Sequence, residues 1–280
     1  MSSTGAPCPD WRADRPLIMG ILNATPDSFS DGGRWNSVDK ALAAAEAMLE
    51  SGADLIDVGG ESTRPGAEHV SVDEELGRVM PVIEAIERDL HCPVSIDTSS
   101  PVVMSRATDV GACLINDVRA LSRPGALEAA AASGASVCVM HMRGEPGTMA
   151  SRTDYDDVVR DVIDFLADRI DRLQSGGVPL DRVLVDPGFG FAKTTEQNFT
   201  MLRRLEEFEC LGVPLLVGMS RKRMIGDATG EPVERRATGS AAAALLAAER
   251  GARVLRVHDV EATRDALAVW AATRDSGRVV

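Results

Sequence analysis

Polar and ionisable residues recur at one kind of place in this sequence, the last position or two of a short apolar run. Asn23 closes one run, and Gly59-Gly60-Glu61-Ser62-Thr63-Arg64-Pro65-Gly66 follows another. Asp97-Thr98, Asn116-Asp117, His141, Asp186-Pro187-Gly188-Phe189-Gly190-Phe191, Ser220-Arg221-Lys222 and Arg256-x-His258-Asp259 close six more. Each has an ordinary reading alone: Asp117 and Asp259 suit helix N-caps, Asp-Pro-Gly suits a turn, and Ser-Arg-Lys suits a solvated surface. Together they point elsewhere, because buried polar groups are costly without partners. A ring of them implies a polar ligand. The ring holds two chemistries. Asp97, Asn116, Asp186 and Lys222 mix acceptors with donors and can hydrogen-bond the edge of a heterocycle bearing both N–H and C=O groups. Arg64, Arg256, His258 and the amide of Asn23 can hold phosphate oxygens, with Arg as a planar fork. The four histidines form no H-x-H or H-E-x-x-H pair, so no zinc site is expected.

The elements that must position these groups repeat. Helical stretches end at Gly52, Gly111, Gly134, Gly176 and Gly251, and an apolar run follows each. Apolar runs lie near 17–22, 54–58, 93–97, 112–116, 136–141, 182–186, 214–219 and 253–258. Near-continuous apolar runs suit strands covered on both faces. Helical stripes separate them: Val38, Leu42, Ala45 and Leu49 over 38–50; Leu76, Val79, Ile83 and Ile86 behind a capping box, Ser71-x-x-Glu74; Val159, Val162, Ile163, Leu166, Ile170 and Leu173 over 155–173; and a last helix over 260–272. Eight alternating β and α units predict a single (β/α)8 barrel with its site at the C-terminal strand ends. A doubly wound open sheet is the runner-up, weakened because no G-x-G-x-x-G follows the first strand. Residues 1–15 read as a leader, a loose one or a short added turn, and 16–280 as the barrel.

The 280 residues are 44% hydrophobic and 26% charged, a globular composition, with a formal net charge of −13. Such acidity argues against non-specific nucleic-acid binding, and no run reaches the ~20 apolar residues of a membrane span. The five cysteines form no C-x-x-C, which suits a reducing cytoplasm.

The longest segments resemble a known family. Asn23-Ala24-Thr25-Pro26-Asp27-Ser28-Phe29-Ser30-Asp31-Gly32-Gly33 and Asp57-Val58-Gly59-Gly60-Glu61-Ser62-Thr63-Arg64-Pro65-Gly66 are similar to signatures of the dihydropteroate synthases, enzymes of folate biosynthesis. The similarity continues through Ser95-Ile96-Asp97-Thr98, Ile115-Asn116-Asp117, Asp186 to Lys193, Ser220-Arg221-Lys222 and Arg256-Val257-His258-Asp259, over about residues 17–270. Ala24 departs from the larger residue usual there, and no catalytic motif is missing.

The resemblance implies a pterin-binding barrel that condenses 6-hydroxymethyl-7,8-dihydropterin diphosphate with p-aminobenzoate. It implies a pterin pocket of Asp97, Asn116, Asp186 and Lys222, lined by Met140, Phe191 and Gly218. Thr63, Arg64, Arg256, His258 and Asn23 would hold the diphosphate, with Asn23 reaching Mg2+. Phe29, Asp31, Thr63 and Pro65, on the first two loops, would build the p-aminobenzoate site, where a sulfonamide would also bind. Asp97, Asp31 and Lys222 are the implied catalytic residues of a dissociative substitution. A cytoplasmic homodimer with small-molecule substrates, no nucleic acid and no membrane is expected. Three alternatives remain open: a pterin-dependent methyltransferase, a non-catalytic pterin-binding paralogue, and a Schiff-base aldolase using Lys193 or Lys222.

Overall fold

Eight parallel strands close on themselves in sequence order in the computed structural model, which describes residues 6–24, 34–61, 70–145 and 147–274. They are β1 (Leu17–Asn23), β2 (Leu55–Gly59), β3 (Val94–Asp97), β4 (Leu114–Asp117), β5 (Ser136–Met140), β6 (Val183–Asp186), β7 (Leu215–Val217) and β8 (Ala252–Val257). Each expected apolar run is one of these strands, within two residues at either end. Closure by pairing of β1 with β8, Met19 opposite Arg256, excludes the open sheet.

The helices described around the barrel are α1 (Arg34–Glu50), α2 (Val72–Asp89), α3 (Pro101–Asp109), α4 (Ala126–Ser133), α5 (Val158–Ser175), α6 (Thr195–Arg203), α7 (Arg223–Thr229), α8 (Ala237–Glu249) and α9 (Val260–Arg274). Two of them, α7 and α8, lie between β7 and β8. Local chemistry sets their starts. Asp157 accepts the N–H groups of Val159 and Arg160, so α5 begins at Val158 and not at the expected 155. Ser71 accepts from Glu74 N as expected, but the Glu74 carboxylate goes to Arg78 instead of back to the cap. The complete reciprocal box is at Thr194 and Gln197, opening α6.

Strand alternation divides the apolar residues into two cores. Ile18, Ile56, Val58, Ile96, Ile115, Val137, Val139, Val185 and Leu255 pack outward with the helices. Leu17, Met19, Leu55, Leu114, Cys138, Leu184, Leu216 and Val254 form a separate cluster that fills the barrel. Trp11 closes that cluster. It is 6% exposed, and its Nε1 donates to Ser136 Oγ at 2.9 Å. Residues 6–16 are thus held to the N-terminal end of the barrel, as a packed turn and not a loose leader. That filled end faces away from the polar strand ends, which lie at the opposite end of the barrel.

Candidate active site

Two residues beyond the apolar plug, the inward positions of four strands turn polar. Asp57 follows Leu55, Asn116 follows Leu114, Asp186 follows Leu184, and Arg256 follows Val254, each two residues on. Period-two geometry therefore sets a charged layer on an apolar one. Asp57 is wholly buried and Asn116 and Asp186 nearly so.

Arg256 ties this layer together. Its Nε donates to Asp57 Oδ2 at 2.5 Å and its Nη2 to Asp97 Oδ2 at 2.7 Å. Ser95 Oγ donates to Asp57 Oδ1 at 2.6 Å, and Asn116 Nδ2 lies 3.4 Å from Asp57 Oδ2. Four strands are joined through one buried carboxylate. Burial opposes charge on Arg256, but Asp57 and Asp97 outweigh it and hold the guanidinium above its ordinary pKa. Burial also pushes the Asp97 carboxyl up to about 7, helped by Asp57 and opposed by Arg256.

The opposite wall is Asp186 and Lys222. Asp186 Oδ1 accepts the Gly188 N–H at 2.7 Å, and its pKa is raised by burial against the pull of Lys222. Lys222 Nζ donates to Phe189 O at 2.5 Å and lies 4.6 Å from the centre of the Phe191 ring. Burial brings its ammonium down to about 8, opposed by Asp186. Arg221, the residue before this lysine, is itself held in place. It adopts a left-handed backbone (φ 57°) while its guanidinium pairs with Asp259 and its N–H donates to Ser240 Oγ.

The remaining expected residues that are described lie at the same end. Met140 and Phe191 share a small apolar cluster with Val118, Met149 and Ala192. Gly218 is buried beside Arg256, and Asn23 ends β1 opposite Gly59. His258 is positioned by Ser220, whose Oγ is 3.1 Å from both its N and its Nδ1. Asp31, Phe29, Thr63, Arg64 and Pro65 lie outside the described residues. Asp117 accepts from Ser99 Oγ and from the N–H groups of Arg119 and Leu121, so its carboxylate shapes its own loop. Asp259 serves Arg221.

Asp57, Ser95 and Ser220 are site residues to which sequence reasoning assigned no role. Asp57 carried a usable signal, a carboxylate inside the run Leu55-Ile56-Asp57-Val58. A charge there must point into the barrel and meet a cation. Lys193 is 8% exposed and its Nζ is taken by three hydrogen-bond partners, so it is closed to a carbonyl substrate. Among the described residues no group of three or more His, Cys, Asp or Glu is placed to hold a metal ion. Asn23 offers a single neutral oxygen. That donor set fits an Mg2+ carried on a diphosphate and completed by water.

Comparison with known proteins agrees with this geometry. Residues 19–258 match the model of the pterin binding enzyme family. The chain is 52% identical over 261 residues to a dihydropteroate synthase of Haemophilus influenzae, covering 93% of this chain and 95% of that protein. It superposes on the Yersinia pestis dihydropteroate synthase solved with a sulfonamide drug (TM-score 0.89, 49% identity, 94% of this chain and 95% of that one). It also superposes on the Xanthomonas albilineans dihydropteroate synthase in complex with 7,8-dihydropteroate (TM-score 0.86, 50% identity, 94% and 95%).

Proposed function

The chain belongs to the pterin-binding enzyme family and, within it, to the dihydropteroate synthases, and on that premise we propose how its mouth works. It joins 6-hydroxymethyl-7,8-dihydropterin diphosphate to p-aminobenzoate and releases 7,8-dihydropteroate and pyrophosphate. The observation that carries this reading is the mixed donor and acceptor floor of Asp97, Asn116, Asp186, Lys222 and Arg256 at the open end of a plugged barrel.

Asp186 takes the amide and amino protons of the pterin, and Lys222 meets its carbonyl and a ring nitrogen. Asn116 and Asp97 hold the rest of the ring edge, with Met140, Phe191 and Gly218 against its faces. Two of the five Arg256 N–H groups serve Asp57 and Asp97. The others, with His258, Asn23, Thr63 and Arg64, face the diphosphate. The methylene C–O bond breaks first and its electron pair leaves with pyrophosphate. The pterin ring delocalises the positive charge, and ionised Asp97 stabilises it electrostatically. The p-aminobenzoate nitrogen then forms the new C–N bond and gives up a proton to solvent. Phe29, Asp31, Thr63 and Pro65 place that amine and exclude water. Asn23 would hold Mg2+, which would supply charge neutralisation for the leaving pyrophosphate.

A sulfonamide mimics p-aminobenzoate and competes for its site. The chain works as a homodimer: Thr238, Ala242 and Leu246 expose an uncharged face along α8, whose first charged residue is Glu249. Light scattering that finds only monomer overturns the dimer. Its five unpaired cysteines suit the reducing cytoplasm, and among the described residues no helix is long and apolar enough to cross a membrane.

A turnover assay with both substrates and Mg2+, following pyrophosphate and dihydropteroate together, tests the reaction. Equal amounts of both products are expected. A folded protein that binds the pterin but releases neither product would be a non-catalytic pterin-binding protein.

A further inference from the structure

Lys193 and His141 take no part in the reaction above, yet both are buried: Lys193 lies within the loop that joins β6 to α6 and His141 just past the end of β5. Lys193 is 8% exposed and His141 2%. Lys193 Nζ lies 2.9 Å from His141 Nδ1 and 3.0 Å from both Gly188 O and Phe191 O. These contacts survive either protonation state. An ammonium donates all three; a neutral amine donates to the two carbonyls and accepts from a protonated Nδ1. Burial lowers the pKa of both groups, that of His141 to about 2, so the imidazole is neutral. Phe165 packs edge-on against that imidazole, with ring centres 4.9 Å apart.

The loop needs such a support. Gly188, Gly190 and Ala192 all have positive φ, of 72°, 79° and 50°. At Gly188 a Cβ would lie 1.9 Å from His141 O, so the backbone passes directly over the histidine. Three of its groups enter the pterin pocket: the Gly188 N–H on Asp186, the Phe189 carbonyl on Lys222, and the Phe191 ring beside the Lys222 ammonium. Two of the Lys193 contacts fall on the carbonyls of Gly188 and Phe191, two of the three residues that supply these groups.

We propose that Lys193 and His141 form a positioning clamp that holds the 188–191 loop so that Asp186 and Lys222 present their pterin-binding atoms in register. The clamp touches no substrate. It acts on recognition of the ring and not on the amine, and it rests on the pterin reading of the mouth.

The test compares wild type with Lys193→Met, His141→Phe and His141→Asn. Phe keeps the ring packing on Phe165 but offers Nζ no partner, whereas Asn restores a polar group near the Nδ1 position. Calorimetric titration with 6-hydroxymethylpterin and steady-state kinetics for both substrates are the readouts. Lys193→Met and His141→Phe are expected to weaken pterin affinity about tenfold and raise KM for the dihydropterin diphosphate, with KM for p-aminobenzoate within about twofold of wild type. His141→Asn is expected to recover most of the loss. Where Lys193→Met fails to fold, the two His141 variants decide. Unchanged pterin affinity, equal rises in both KM values, or an Asn variant no better than Phe overturns the clamp. A wild type that binds no pterin overturns the functional reading and the clamp with it.

Discussion

Arg256 Nη2 lies 2.7 Å from Asp97 Oδ2, which ties the cation of the last strand to the carboxylate of the third. The pair brings together a group assigned to the diphosphate and one assigned to the pterin. Removing Arg256 therefore does more than open a phosphate cradle. Arg256→Ala leaves Asp57 and Asp97 buried without their cation and is expected to cost about 3–5 kcal/mol of stability. It should weaken binding of the pterin alcohol as well as the diphosphate. Arg64→Ala, by contrast, should affect the diphosphate alone. Titration of both variants with both ligands checks this; a loss confined to the diphosphate in Arg256→Ala would refute the shared role.

Asp97 gives a stability prediction whose sign is fixed by its raised pKa. Its carboxyl ionises at about 7 in the folded chain and near 3.8 in the ordinary state, so between those values the folded protein binds the extra proton. That contribution to stability is complete below about pH 4 and is lost as pH rises through 7. Urea unfolding of wild type and Asp97→Asn should show wild type losing roughly 2–3 kcal/mol relative to the variant between pH 5 and pH 8. A difference flat in pH would contradict the raised value. The same variant should turn over about 10²–10³ times more slowly, having lost a charge at the developing cation.

In the proposed mechanism Asp97 acts ionised, with its pKa at about 7, and Lys222 acts protonated, with its pKa at about 8. The profile of kcat/KM for the dihydropterin diphosphate should be a narrow bell, falling on the acid side with Asp97 and on the basic side with Lys222. Lys222→Arg replaces a titrating cation with a permanent one, so whatever activity it keeps should show no basic limb near 8. A basic limb persisting in that variant would take Lys222 out of the role.

Much of the barrel was legible because its strands are buried on both faces and so read as unbroken apolar runs, as at Val183-Leu184-Val185. The polar ends of those runs marked the site for the same reason: a buried charge needs a purpose or a partner. What stayed hidden depends on long-range pairing. Asp57 and Arg256 are 199 residues apart, and only barrel closure makes them neighbours. Trp11 is similar, since nothing around it in the sequence says that it docks on Ser136 from 125 residues away. The capping box at Ser71 had the right residue types, but Arg78, one helical turn beyond Glu74, competes for the carboxylate.

Trp11 seals the end of the barrel opposite the site. Trp11→Ala should cost about 3–5 kcal/mol, through a large cavity and the loss of a hydrogen-bond donor to Ser136. Turnover by the folded variant should be close to wild type. Chemical denaturation with parallel kinetics separates the two effects; an unchanged denaturation midpoint would mean that the residue does not plug the barrel.

The central claim is that the charged floor recognises a pterin ring, and Asp186 tests it most directly. Asp186→Asn nearly preserves shape but presents an –NH2 where two ligand N–H groups need acceptors. Calorimetric titration with a pterin in the absence of p-aminobenzoate is expected to show binding by wild type, and a loss of about 2–4 kcal/mol in the variant. Equal pterin affinity in the two folded proteins would remove Asp186 from the pocket and contradict the account.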